Sequence, residues 1–190
     1  MGIAEGNLPF PRGSTWGDRG RAGLTLSDTV PSTQEGMEYV VQDTVNGTLR
    51  PVTLIVLKND TGSAITVAKK FLKFSSTSAK DLFRRCAGYN DSAGGIVVAM
   101  DDKYTAGITI PDDDLFYAVI EGPVQLTTEA SSVNLAAGDS VASDASAYVN
   151  GAAAAAGEFV AGVIDAASTT AGEEVLVYMA GNRAKPPAAG

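Results

Sequence analysis

Hydrophobic positions between residues 117 and 179 come in short runs: Tyr117–Ile120, Val124–Leu126, Val133–Leu135, Ser140–Ala142, Phe159–Ile164 and Val175–Met179. Clusters of Gly, Ser, Thr, Asp and Asn separate them at the spacing of consecutive strands. Val, Ile, Tyr and Phe dominate the runs, as expected of pleated surfaces that pack on at least one face. Ala137-Gly138-Asp139 and Ala171-Gly172-Glu173 each set a glycine before the next run, where a positive φ costs little. Upstream, residues 36–42 and 50–57 read as two strands joined through Asn46-Gly47, a strong hairpin signal. Asn59-Asp60-Thr61-Gly62 marks a turn, residues 64–74 alternate in part, and Ile96–Met100 reads as a buried strand after Gly94-Gly95. Asp101-Asp102-Lys103 follows as a turn, and Pro111 with Asp112-Asp113-Asp114 precedes the strongly apolar LFYAVI run. Ser78–Ala87 supports two readings. Ser78 and Asp81 have capping spacing ahead of Leu82, Phe83 and Cys86, which predicts a short helix, whereas a strand is the competing expectation.

These patterns predict three parts: an extended N-terminal arm over residues 1–30, a β-rich domain over 31–182 and a C-terminal tail over 183–190. The arm contains Pro9, Pro11 and six glycines and shows neither helical nor strand periodicity. Its Phe10 and Trp16, with Arg12, Arg19 and Arg21, are candidate anchors for a partner's groove, since aromatic and arginine side chains supply much of the binding energy at interfaces. Pro186-Pro187 stops the tail from continuing a sheet. The run GAAAAA at Gly151–Ala156 is too short for an isolated helix. It reads as a loop or as a close-packed contact between copies, with Ala152, Ala154 and Ala156 as the small residues at the contact.

Charge changes the picture more than composition does. The 190-residue chain has a net charge of −8, unevenly placed. Residues 58–85 carry seven Lys or Arg against two Asp (+5), and residues 86–182 carry one Lys against nine Asp and five Glu (−13). Such asymmetry predicts an oriented molecule, with Lys69, Lys70, Arg84 and Arg85 as candidates for contact with an acidic protein surface. Phe71, Phe74 and Phe83 interleave the basic stretch as in a single-strand nucleic-acid platform, but the acidic remainder opposes binding to phosphates, and no nucleic-acid partner is expected.

The chain has no His and one Cys. Ser/His and Cys/His nucleophile schemes and Cys/His zinc sites therefore have no members, and Cys86 reads as a small buried hydrophobe. The consecutive aspartates at 112–114 lack calcium-loop spacing and read as a solvated acidic loop. Gly94-Gly95 lacks the residues of a phosphate loop. No stretch has the length and hydropathy of a membrane span, and residues 1–13 lack the charged and apolar regions of a signal peptide. The expectation is a non-enzymatic protein with no catalytic residue, no cofactor, no metal and no membrane partner.

The segment LAAGDSV, followed by YVNGAAAAAGEFVAGVIDAASTTAGEEVLVYMAG, together with YVVQDTVNGTLRPVTLIVLKNDTGSAITVAKKFLKF and GIVVAMDDKYTAGITIPDDDLFYAVIEGPVQL upstream, resembles the decoration, or capsid cement, proteins of tailed bacteriophages. The resemblance covers roughly residues 36–182 and rests on the order of motifs built from small and apolar residues. It implies a mainly β, β-tulip-like barrel or sandwich with at most one short helix, on the outer surface of the virion. It also implies a structural role in bridging major capsid protein subunits, and self-association as a homotrimer. A virion-surface receptor- or glycan-binding module is the alternative, with Tyr89, Tyr104, Tyr117 and Tyr148 as the aromatic surface it would use.

Overall fold

The structure, a computed structural model, describes residues 8–9, 12–13, 15, 34–75, 83–91, 97–105, 109–129, 134–151 and 160–181. Within them lie twelve strands: β1 (Glu38–Gln42), β2 (Pro51–Asn59), β3 (Ile65–Thr66), β4 (Lys70–Phe74), β5 (Arg85–Tyr89), β6 (Val97–Met100), β7 (Thr109–Ile110), β8 (Leu115–Thr127), β9 (Ser140–Ser143), β10 (Val149–Gly151), β11 (Gly162–Ile164) and β12 (Glu174–Ala180). No helix occurs among the described residues, and the protein is mainly β. Ten strands form one sheet in the order β1-β2-β5-β4-β6-β8-β12-β11-β9-β10, and β3 pairs with β7.

A further pairing of β2 with β8 turns part of that sheet into a closed ring, β2-β5-β4-β6-β8 and back to β2. Closure removes the open edges that a sheet otherwise presents. Each ring strand contributes to one apolar cluster: Ile55 and Leu57 from β2, Leu72 and Phe74 from β4, Cys86 from β5, Val98 and Met100 from β6, and Phe116, Ala118 and Ile120 from β8. Ile65 and Ile110 of the small β3–β7 sheet join the same cluster. Asn59 ties that small sheet to the end of β2. Its Nδ2 donates to the carbonyls of Ser63, Ile110 and Pro111, and its Oδ1 accepts from the backbone and hydroxyl of Thr61.

Alternate residues of the same strands point to a second cluster. Val52, Leu54 and Val56 of β2, Val97 and Ala99 of β6, and Leu115, Tyr117 and Val119 of β8 meet Val124, Leu126, Val141, Val149, Ile164, Val175 and Val177. The strands that supply this larger core form a second circuit. From β8 it runs through β12, β11, β9 and β10, and it returns to the end of β8 by the Thr128–Val149 bridge. β8 therefore belongs to both circuits, and residues 115–120 are buried without interruption. This is why LFYAVI reads as a continuous apolar run: a strand with cores on both sides has no polar face.

The two apolar runs 117–120 and 124–126, expected as separate strands, are halves of this one strand. A bulge at Ile120 lies between them. Leu54 pairs with Val119 and Thr53 with Glu121, which leaves Ile120 as the extra residue. The shift changes the parity of the core-facing positions from 115, 117 and 119 to 124 and 126, so one face stays buried along the whole strand. Gly122 has φ 98°, and a Cβ there would sit 2.5 Å from the carbonyl oxygen of Pro51. Pro123, which cannot donate to a ladder, follows directly at the bend.

The hairpin through Asn46-Gly47 forms as β1 and β2, in register from Glu38 opposite Ile55 to Gln42 opposite Pro51. The Asp43 carboxylate organises its loop by accepting from the backbone N–H of Asn46 and Thr48 and from the Thr48 hydroxyl. Of the two readings for residues 78–87, the strand holds for Arg85–Ala87, which lie in β5 between β2 and β4; residues 76–82 lie outside the described region. Insertion between two strands overrides local helix signals because it satisfies the backbone through partners distant in sequence. Residues 149–151 form β10, which their mixed polarity did not suggest, and of residues 133–135 the described Leu135 makes one bridge, to Ser168.

Replacing Gly122 by Val is expected to destabilise the fold by at least ~2 kcal/mol, because the new side chain would meet β2 backbone and carry a strained φ. Urea unfolding of the variant against the native chain measures this, and an unchanged midpoint would remove the bulge from its central place.

Candidate functional site

The basic stretch is not a free cationic face. Lys58 is fully buried and pairs with Asp113 at 2.6 Å. Lys69 Nζ lies 2.6 Å from Glu174 and 3.9 Å from Asp102, Lys73 lies 2.6 Å from Asp91, and Arg85 approaches both Asp60 (3.3 Å) and the buried Glu35 (3.6 Å). Arg84 is also 3.6 Å from Glu35. Lys70 sits 3.7 Å from the centre of the Tyr148 ring and 5.3 Å from that of Tyr89. Every described basic residue between 58 and 85 is thus engaged within the chain. The charge asymmetry of the sequence folds back on itself: strand pairing brings the acidic second half beside the basic stretch, as in Lys58–Asp113, Lys69–Glu174 and Lys73–Asp91. The aspartate run at 112–114, expected as a solvated loop, supplies the buried lysine's counter-ion.

A second polar assembly joins the arm to the domain. Tyr104 is buried and its hydroxyl donates to Asp43 at 2.5 Å, while its backbone carbonyl accepts from Gly13 N–H at 3.0 Å. The Arg12 guanidinium lies over the Tyr104 ring and donates to the Thr44 hydroxyl. Leu8 packs on the larger core, and Thr15 is buried. These arm residues therefore rest on their own domain, where the sequence suggested a partner's groove. The physical reason is that the domain offers an aromatic ring and a backbone carbonyl where Arg12-Gly13 passes. Phe10, Trp16, Arg19 and Arg21 lie outside the described residues, as do Ala152, Ala154 and Ala156.

Asp101 lies beside this assembly and is buried, accepting from Lys103 N–H at 2.8 Å and Gln125 N–H at 3.0 Å. Burial, helped by neighbouring Asp102, pushes its carboxyl up to about 6 against the pull of those two donors. Asp43 moves the other way. Burial raises it, but hydrogen bonds from Thr48, Tyr104 and Asn46 outweigh that and hold it below the usual carboxylate range. Lys103 Nζ bridges Asn46 Oδ1 and Gln125 Oε1, both at 3.0 Å, so the β1–β2 loop, the 101–105 turn and β8 form one network.

Two of the tyrosines named for a glycan surface, Tyr104 and Tyr117, are fully buried, and Tyr89 and Tyr148 are half-buried around Lys70. Cys86 is buried, as expected, and burial pushes its thiol up to about 12. No group of three metal-ligating side chains occurs among the described residues. What the surface does present is apolar: Met37, Val40 and Leu49, on and beside β1, and Val163 on β11 are exposed. Sequence reading missed the first three because β1 alternates like any half-buried strand.

No protein-family model matches the chain, and no curated protein matches it. Among solved structures it is similar to the head fiber gp8.5 N base of bacteriophage phi29. The TM-score is 0.43 and the identity 12%, over 71% of this chain and 99% of that one. A likeness this shallow transfers no residue role.

Two outcomes are expected. The folded Asp101 carboxyl (about 6) lies above its unfolded value of ~3.9, so its contribution to stability is full at low pH and declines as pH rises from ~4 to ~6. Thermal midpoints across that window should therefore show a less negative pH slope in Asp101→Asn than in the native chain; parallel slopes would count against the assignment. Removing residues 1–15 should lower stability by about 1–3 kcal/mol through loss of the Gly13–Tyr104 bond and Leu8 packing. A midpoint equal to that of the full chain would show the arm to be energetically detached.

Proposed function

We propose that this protein is a structural capsid decoration protein that binds the outside of a phage head and stabilises it by bridging major capsid protein subunits, without catalysis. The reading rests on the sequence resemblance, and one observation supports it above others. The residues carrying the C-terminal motifs fall together in the fold: the turn Ala137-Gly138-Asp139 leads into β9, the glycine of the GVI motif is Gly162 in β11, and the closing VLVYM motif is β12. Gly162 is fixed there by contact, since a Cβ would lie 2.2 Å from the Tyr178 carbonyl oxygen. Gly162 is thus a requirement of strand packing in the second circuit.

In this reading attachment does not rest on the basic stretch. Lys69, Arg84 and Arg85 are held by carboxylates of the same chain, so contact with the shell falls to exposed apolar residues and to arm residues beyond the docked segment. Many copies, each burying a modest apolar area at about 25 cal/mol per Å², stabilise a shell additively. Self-association as a homotrimer, implied by the resemblance, belongs to the same proposal. Tyrosine burial disfavours the glycan-binding alternative.

The test is a titration of expanded heads with purified protein, in which binding should saturate at a fixed copy number and raise the temperature of head disruption. Raising salt from ~50 to ~500 mM should change the affinity by less than about threefold, because the described lysines and arginines are internally paired. No binding to heads would overturn the proposal, and a steep salt dependence would return the contact to charge.

A further inference from the structure

We propose that Lys103 and Asn46 form an intramolecular isopeptide bond, an amide between the lysine Nζ and the asparagine Cγ that staples the β1–β2 loop to the 101–105 turn; this stands independently of the role proposed above. Lys103 Nζ lies 3.0 Å from Asn46 Oδ1, across 57 residues of sequence, and 3.0 Å from Gln125 Oε1. Both partners are held in place beforehand. Asn46 N–H donates to Asp43 Oδ1 at 2.9 Å and Lys103 N–H donates to Asp101 Oδ1 at 2.8 Å, and both carboxyl groups are buried. Tyr104 fixes Asp43 and the Gln125 N–H fixes Asp101, so the two side chains project toward each other from anchored backbone. Such positioning is what makes an otherwise slow attack of an amine on an amide feasible within one chain.

Two features separate this contact from an ordinary hydrogen bond. The first is the other end of the amide. Asn46 Nδ2 is buried and has no hydrogen-bond partner among the described residues, so the folded chain carries an orphaned donor at this point. Departure of that nitrogen as ammonia removes the orphan. The amide is also free to turn, because χ2 of asparagine is a broad torsion and rotating it gives up one hydrogen bond, the one to Lys103, while presenting Cγ to Nζ. The second feature is the company of the lysine. Lys58, Lys69 and Lys73 each lie 2.6 Å from a carboxylate oxygen, whereas Lys103 Nζ faces two neutral amide oxygens and forms no ion pair among the described residues. A carboxylate partner favours the unreactive ammonium form, and Lys103 has none.

The step balances without a co-reactant. The Nζ–Cγ bond forms and the Cγ–Nδ2 bond breaks, and two of the three protons of the lysine ammonium pass to the leaving nitrogen. An ammonium group and a primary amide thus become a secondary amide and an ammonium ion. Gln125 offers a second carbonyl at the same distance, but its Oε1 also accepts from Lys69 Nζ at 3.5 Å, and two donors hold that amide where one holds Asn46. The new bond would close a long loop of chain. It acts as a disulfide does, by restricting the unfolded state.

Intact mass spectrometry of the purified full chain tests this. With N-terminal processing allowed for, the native chain should be lighter than its sequence by one ammonia, and Lys103→Arg and Asn46→Ala should each restore the full mass. Trypsin should fail to cut after Lys103 and should release one branched peptide that joins residue 46 to residue 103. Lys103→Arg keeps a cationic donor but cannot form the link, so its thermal midpoint should fall by on the order of 10 °C; an unchanged midpoint would overturn the stapling role. A native chain of full mass, cut by trypsin after Lys103, would overturn the inference. So would ammonia loss that persists in Lys103→Arg, which would place it in a succinimide at Asn46-Gly47, or a branch at residue 125, which would make Gln125 the acceptor. The native chain and its digest decide the matter even where a variant folds poorly.

Discussion

Burial of both faces of β8 is the constraint on which the rest of this structure depends. A strand of thirteen residues with a core on each side cannot be covered by one layer, and the chain responds by closing two circuits of strands around it. One face is lined from β2, β4, β5 and β6, the other from the remaining faces of β2 and β6 and from β9 to β12. The bulge at Ile120 keeps the second face buried while β8 exchanges β2 for β12 as its neighbour. Losing it would flip every subsequent side chain, because a one-residue slip reverses the faces of a strand.

The same arrangement explains the electrostatics. Residues 58–85 supply the end of β2, β4 and the start of β5, and the carboxylates that meet them come from loops beside the first circuit and, in Glu174, from β12. Bringing the circuits together around a shared strand places one carboxylate beside a lysine more than a hundred residues away, Glu174 beside Lys69. Exposed pairs of this kind contribute little each, roughly 0–1 kcal/mol, but they consume the basic surface. The buried Lys58 is different in kind. With Asp113 removed, an ammonium would lose a partner in a site closed to bulk water, a change that is typically costly.

Function on this scaffold is a matter of exposed side chains and extensions. Closed circuits remove most open backbone, which leaves the exposed Met37, Val40 and Leu49 and the arm as the available contacts. Leu8, Arg12 and Gly13 rest on the larger core and the Asp43–Tyr104 assembly, beside the β1–β2 loop.

The sequence by itself determined the longer apolar strands and several of their turns. Apolar runs, Asn46-Gly47, Gly138 and Gly172 are local signals, and each depends on backbone preference that survives in any context. It determined that Cys86 would be buried and that β8 would be apolar along its first half. Tertiary structure alone decided which runs join, since Gly122 and Pro123 look like a turn until β2 and β12 are seen to flank them. Pairing between distant strands also settled residues 85–87 as β5 and turned the basic stretch from a surface into a set of ion pairs. Charge partners and strand neighbours are relations between residues far apart in the chain, and local pattern carries no record of who will be adjacent.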